Sequence, residues 1–365
     1  MSQIAPPPDR IATLDLLRLV AALAVVAFHY LFRGAADEPF LAEGYPQAAP
    51  YAIYGYLGVN LFFLISGFVI AASAEGRSWQ AFSIARFARI YPGFLICMLL
   101  SAVVLAFSGN AALGVTGTQV LGNLLIFAPA LGQPFVDGVY WSIVLELVFY
   151  GWVAIAIAAG LFCRFKLELV AGWLLLSMLN ELVLGSGALR LLLITEYGPY
   201  FAAGILLHHI TAHGRSAEAL LLLAAAFLLS CNTIQLGREW MLVHYGVALP
   251  FFDLLAGNAA IHGMLFAAVL LPRLVPSNAT VFMFGGITYP LYLLHQNIGY
   301  ISIDALAPLV GKWGALPIVL GGMIAVSWAV WRYVERPGRH MIVAMLQPVS
   351  DRITARFLRN TFAGS

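Results

Sequence analysis

Apolar residues run along this chain in long, nearly continuous blocks, neither alternating as in a half-buried strand nor confined to one helical stripe. Each block approaches the roughly twenty residues that an α-helix needs to cross the hydrocarbon core of a bilayer. The blocks predict about ten spanning helices, near 11–33, 52–74, 88–107, 139–161, 167–185, 190–211, 216–234, 247–271, 281–303 and 314–334. The stretch 118–131 is also apolar, but it is short and broken by Gly and Pro, so a re-entrant or interfacial piece is expected there. A membrane β-barrel would show segments of about ten residues with alternating polarity, and the blocks do not alternate.

Composition sharpens this picture. Of 365 residues 62% are hydrophobic and only 10% charged, with a mean hydropathy of +0.90, against about 25% charged in soluble domains. The fold class expected is an all-α polytopic membrane protein. With the N-terminus inside, fourteen of the 19 lysines and arginines fall on the cytoplasmic side and four on the other, while Arg18 lies within the membrane. That asymmetry orients a membrane protein and predicts both termini in the cytoplasm. Residues 1–10 then form a short cytoplasmic segment, 11–337 the membrane domain, and 338–365 a basic cytoplasmic tail resting on anionic lipid. The apolar stretch after the N-terminus is too long for the core of a cleaved signal peptide. No basic run with interleaved aromatics suggests nucleic acid. Cys97, Cys163 and Cys231 stand too far apart to suggest a zinc site or disulfide framework, and His208, His209 and His213 have no carboxylate or cysteine among them. No metal is expected.

The polar residues inside the apolar blocks are the candidates for chemistry, because a charged side chain near the bilayer centre costs about 2.5–3.5 kcal/mol on insertion scales. The first predicted helix, LDLLRLVAALAVVAFHY, carries Arg18 and His29. Eleven residues are about three turns plus 20° and rise about 16 Å, so the two share a face at different depths. Asp15, one turn before Arg18, is placed to pair with it. His29 is a candidate base or nucleophile near neutral pH. Glu146, in VYWSIVLELVFYGW, lies at comparable depth and is expected either to orient His29 or to pair with an arginine. His295 and Tyr292, in ITYPLYLLHQNIGY, are candidate substrate contacts, as is Asp15, although His295 can equally bond Tyr292 or a backbone carbonyl. Asp253, Asn258 and His262 make the eighth span polar. Arg86 and Arg89, in FSIARFARIYPGF, share a face at the expected cytoplasmic mouth of the third span; that arrangement suits either phosphate clamping or positive-inside anchoring. The glycines and serine of GVNLFFLISGF are read as close-packing residues.

Taken in order, these segments resemble the acyltransferase-3 family of integral membrane O-acyltransferases, the O-antigen acetylase type. The likeness runs from about residue 12 to 337 and rests on Arg-x10-His at Arg18 and His29, GYLGVNLFFLISGF, ARFARIYP, VYWSIVLE, ITYPLYLLH and the closing YVERP. The resemblance implies transfer of an acyl group, usually acetyl, from cytoplasmic acyl-coenzyme A to a hydroxyl of an extracytoplasmic or lipid-linked glycan at a bacterial inner membrane. It implies that His29 is catalytic with Arg18 as its partner, that Glu146 supports them, and that Arg86 and Arg89 contact the coenzyme A phosphates. The chain departs from the family pattern at Leu147, where a second acid is common, and at Asn60, where aspartate is frequent. Larger members carry a fused extracytoplasmic domain, so action alone or with a separate partner is expected here; self-association stays open. Two other readings share these residues: a proton-coupled transporter of a small solute or glycan, and an inert family member serving assembly.

Overall fold

The computed structural model describes residues 11–36 and 40–362. Among the described residues there are eleven long helices: α1 (Ala12–Leu31), α2 (Leu57–Ala74), α3 (Trp79–Phe107), α4 (Trp141–Ala158), α5 (Lys166–Leu179), α6 (Gly198–His213), α7 (Ala217–Tyr245), α8 (Phe251–Leu270), α9 (Ala279–Val310), α10 (Lys312–Val330) and α11 (Arg336–Phe362). No strand occurs among the described residues. Side-chain oxygens start three of the helices by accepting from the backbone N–H three residues on: Ser78 from Ala81, Ser216 from Ala219 and Asn278 from Val281.

Eight helical stretches among the described residues are long and apolar enough to cross a membrane. They correspond to all the expected spans except the sixth and ninth. The sixth, expected over 190–211, is broken: a short helix, Gly187–Leu192, stops before Ile194, whose φ of 54° is unfavourable for a β-branched residue, and α6 begins only at Gly198. Its 16 residues are about 24 Å long. The ninth is the 32-residue α9, diluted by Thr, Tyr, His, Gln and Asn. Both helices lie deep in the protein, where packing replaces lipid as the solvent for their polar groups.

Two further boundaries move. The third span starts at Trp79, not near 88, so Arg86 and Arg89 lie two to three turns inside a helix instead of at its mouth. After α10 the chain passes through one π-helical turn, Trp331–Glu335, and continues as α11. The stretch 118–131 is a short helix, Gly117–Asn123, and a 3-10 turn, Ala128–Leu131, as expected of a non-spanning piece.

The middle of the protein is built on α1 and α9, which run parallel: Asp15 faces Gly285 and Tyr30 faces Gly299. A Cβ at Gly285 would lie 2.3 Å from Asp15 Oδ1, so the backbones approach more closely than any side chain allows. The Tyr30 hydroxyl donates to the His295 carbonyl at 2.9 Å. The Thr13 hydroxyl donates to the Ala268 carbonyl and ties α1 to α8. Helix α2 runs parallel to α6, with Phe63 on Tyr197 and Phe201 and Phe68 on His208. At Gly67 a Cβ would strike the Phe201 carbonyl at 2.1 Å, so this glycine does serve close packing.

Candidate functional site

Near the outer end of α1 as the charge asymmetry orients it, His29 meets α9. Its Nδ1 lies 2.9 Å from the Val25 carbonyl oxygen and 3.0 Å from His295 Nε2. The two rings are 4.8 Å apart at 71°. His29 is partly exposed, whereas His295 has no accessible surface. The other nitrogen of His295, Nδ1, faces the Tyr292 carbonyl at 2.8 Å and the Leu291 carbonyl at 3.2 Å. Tyr292 is buried, and its hydroxyl is 2.6 Å from Ser142 Oγ and donates to the Val139 carbonyl at 3.2 Å. His295 and Tyr292, expected as substrate contacts, are therefore buried and engaged by protein groups. The half-buried Gln296 sits beside the His29 ring.

Glu146 does not meet His29 through any described hydrogen bond; its described partners are Ser66, which donates to Oε1 at 3.1 Å, and Tyr150, whose hydroxyl donates to the same oxygen. Ser142 is level with Tyr292, one turn below His295, and Glu146 lies a further turn, about 6 Å, deeper. That drop in depth gives His29 a histidine partner in place of the expected carboxylate. It also gives Ser66, read from the sequence as a packing residue, a polar role.

Below this layer sit the arginines. The Arg89 guanidinium pairs with the Glu335 carboxylate at 2.7 Å and lies 5.2 Å from the centre of the Tyr289 ring. Tyr289 is six residues before His295, hence about 9 Å lower along α9. The Tyr289 hydroxyl donates to the Ile90 carbonyl at 3.1 Å and joins α9 to α3. Arg86 stacks on Phe82 at 5.8 Å, within electrostatic reach of Tyr150 and Glu146, and its Nε is buried without a hydrogen-bond acceptor. On α1, Arg18 donates to Asp15 at 3.1 Å, as the spacing predicts, with Asp15 buried and Arg18 one-quarter exposed. Arg18 is about 16 Å below His29 along the helix. The site is thus a column, with His29 and His295 on top, Glu146, Ser66 and Tyr150 in the middle, and Arg86 with the Arg89–Glu335 pair beneath.

Sequence reasoning missed three members of this column, and Ser142 beside its upper layer. Tyr150 was within its reach, since it follows Glu146 by one turn of the same helix. Ser66, Ser142 and Glu335 come from distant segments, and no local spacing links them to their partners.

Other polar groups lie apart from the column. Asn60 donates to the Tyr200 hydroxyl at 3.0 Å, and that hydroxyl donates to Asn258 Oδ1 at 2.9 Å. His262 Nδ1 is 2.8 Å from the Asn258 carbonyl. This network joins α2, α6 and α8, while Asp253 accepts from the Tyr54 hydroxyl at 3.1 Å. The histidines of α6 acquire a carboxylate that the sequence did not place near them: Glu75 Oε1 lies 3.8 Å from His208, 3.6 Å from His213 and 2.8 Å from Lys166 Nζ. Lys166 pairs with that carboxylate, and no group of ligands suited to a metal ion occurs among the described residues.

The bundle and its column define an all-α, multi-pass membrane protein with a partly exposed histidine on a buried one, above two half-buried arginines. A family model described as an acyltransferase domain matches residues 11–332, and the chain belongs to that family. It is similar to acyltransferase MdmB of Streptomyces mycarofaciens, 31% identical over 185 residues, which is 43% of this chain and 46% of that protein. It is also similar to protein 2 in the picA locus of Rhizobium radiobacter, 35% identical over 102 residues, 26% of this chain and 46% of that protein. The matched regions span somewhat less than half the length of these relatives. No solved structure matches the chain.

Proposed function

We propose that this protein is a membrane O-acyltransferase that moves an acyl group, acetyl by family resemblance, from cytoplasmic acyl-coenzyme A to a hydroxyl of an extracytoplasmic or lipid-linked glycan. The observation that carries the reading is the column itself: a partly exposed histidine at one depth and half-buried guanidinium groups at another suit a linear, phosphate-bearing donor entering from one side. Family membership supports the reaction class. In this reading both termini are cytoplasmic and the membrane is the inner membrane of a bacterium.

His29 is the base that takes the proton of the acceptor hydroxyl, or the nucleophile that first takes the acyl group. Arg86 suits the donor phosphates, because its Nε is buried and lacks an acceptor, and a phosphate oxygen would satisfy it. Arg89 is already neutralised by Glu335, so its part in donor binding is to shape the site next to Arg86. Arg18, with Asp15, lines α1 below His29. Glu146, held by Ser66 and Tyr150, balances the charge of Arg86.

The test is to incubate membranes carrying the wild type or His29→Ala with radiolabelled acetyl-coenzyme A and envelope material, and to follow label into base-labile esters. Label that depends on His29 supports the reading. Equal label in the two, with the variant present in the membrane, overturns it.

A further inference from the structure

The hydrogen-bond directions around the histidine pair determine which nitrogen of His29 carries the lone pair. A neutral imidazole has one N–H and one lone pair, and the partner of one nitrogen sets the state of the other. His295 Nδ1 faces carbonyl oxygens, those of Tyr292 at 2.8 Å and Leu291 at 3.2 Å. A carbonyl only accepts, so Nδ1 carries the hydrogen and Nε2 of the neutral ring presents its lone pair. That lone pair faces His29 Nδ1 at 3.0 Å, whose second neighbour is the Val25 carbonyl at 2.9 Å. Two acceptors facing one nitrogen require the hydrogen on His29 Nδ1. The lone pair of His29 therefore resides on Nε2.

We infer that His295 is a positioning residue: it locks His29 in the Nδ1–H form and leaves Nε2 as the atom that takes the acceptor's proton. The inference rests on the transferase reading for its consequence, though not for its geometry. His295 has no accessible surface and its backbone carbonyl is held by the Tyr30 hydroxyl, so it acts through His29 and does not touch substrate. In the reaction the acceptor O–H bond breaks as the hydrogen passes to Nε2 and the oxygen bonds the acyl carbon. The C–S bond to coenzyme A breaks, and the thiolate takes the proton from Nε2. The Nδ1–H contact with His295 persists throughout and steadies the imidazolium.

The test uses the full chain, 15N-labelled at histidine, in lipid nanodiscs. The ring-nitrogen resonances of His29, assigned by their loss in His29→Gln, report the tautomer directly. The wild type should show a pyrrole-type Nδ1 and a pyridine-type Nε2. His295→Ala should mix the two forms and lower kcat about a hundredfold, with KM for acetyl-coenzyme A unchanged. His295→Gln, which keeps an acceptor near the position of Nε2, should restore most of the tautomer and of kcat. A pyridine-type Nδ1 in the wild type, or an unchanged tautomer in a folded His295→Ala, would overturn the inference. Absence of acyl transfer beside the expected tautomer in the wild type would count against the transferase reading and leave the role of His295 standing.

Discussion

Arg89 of α3 and Glu335 of the π-turn after α10 form an ion pair of 2.7 Å between residues 246 positions apart in the sequence. Glu335 is buried, Arg89 is one-third exposed, and the second carboxylate oxygen of Glu335 is buried without a partner. Removing one member of a buried pair leaves an uncompensated charge, a loss of up to about 3–5 kcal/mol when both are fully buried and less here because Arg89 reaches solvent. Arg89→Ala should therefore lower the thermal unfolding midpoint in detergent clearly more than Arg86→Ala. Equal midpoints for the two variants would show that the pair is not structural.

Arg86 should behave in the opposite way. A hydrogen bond to a charged group contributes about 1.5–3 kcal/mol, so Arg86→Ala should raise KM for acyl-coenzyme A roughly 10- to 100-fold. Its folding should change little, because the Nε it removes has no protein acceptor. Steady-state kinetics with varied donor decides this, and an unchanged KM would remove Arg86 from donor binding.

Glu146 and Tyr150 share one hydrogen bond, so their substitutions should not add. Residues in one network commonly couple by about 0.5–3 kcal/mol. The double variant Glu146→Gln with Tyr150→Phe should lose less activity than the sum of the single losses. Each single variant should retain more activity than His29→Ala, since neither side chain bonds His29 in the described structure. Additive losses would separate the two residues energetically.

Gly285 tests the contact between α1 and α9. An added methyl would lie 2.3 Å from Asp15 Oδ1, and overpacking of this kind costs about 1–3 kcal/mol. Gly285→Ala should lower both stability and activity by shifting α1, which carries Arg18 and His29. Gly263→Ala on α8 meets nothing within 4 Å and should be neutral or slightly stabilising, since alanine is the better helix former. Thermal unfolding of the two side by side makes the comparison.

Glu75 lies just past α2 and should give an acid-sensitive limb to stability. Burial raises its pKa, but the hydrogen bond and charge of Lys166, with His208 and His213, more than reverse this and hold it below the ordinary 4.5. A carboxylate with a lowered folded value stabilises fully above its unfolded value, and that stability fades as pH falls through the folded one. Lys166→Met should flatten the decline in unfolding midpoint between roughly pH 5 and 3. An identical decline in both proteins would mean that other carboxylates carry the acid response.

Helix type and the positions of most helices were legible because continuous apolar blocks of bilayer length have one economical solution, a helix that satisfies its own backbone. The Asp15–Arg18 pair was legible as well, since a spacing of three residues on one helix is a local fact. The break before α6 was not, because a left-handed Ile194 leaves no trace in hydropathy. The early start of α3 was also missed: Ser78 and the polar first turns of the helix look like loop until a neighbour packs on them.

The sequence alone determined that this is an all-α membrane protein with a few polar residues inside its apolar spans, and it singled out His29, Arg18, Glu146, Arg86 and Arg89 as the candidates for chemistry. Hydropathy and spacing act over one or two helical turns, and they suffice for that much. Only the tertiary structure decided partnership: His29 with His295, Glu146 with Ser66 and Tyr150, Arg89 with Glu335. Those contacts cross between helices, and their geometry is set by how closely α1 approaches α9 and how deep α4 enters, quantities that depend on packing and not on any local pattern of residues.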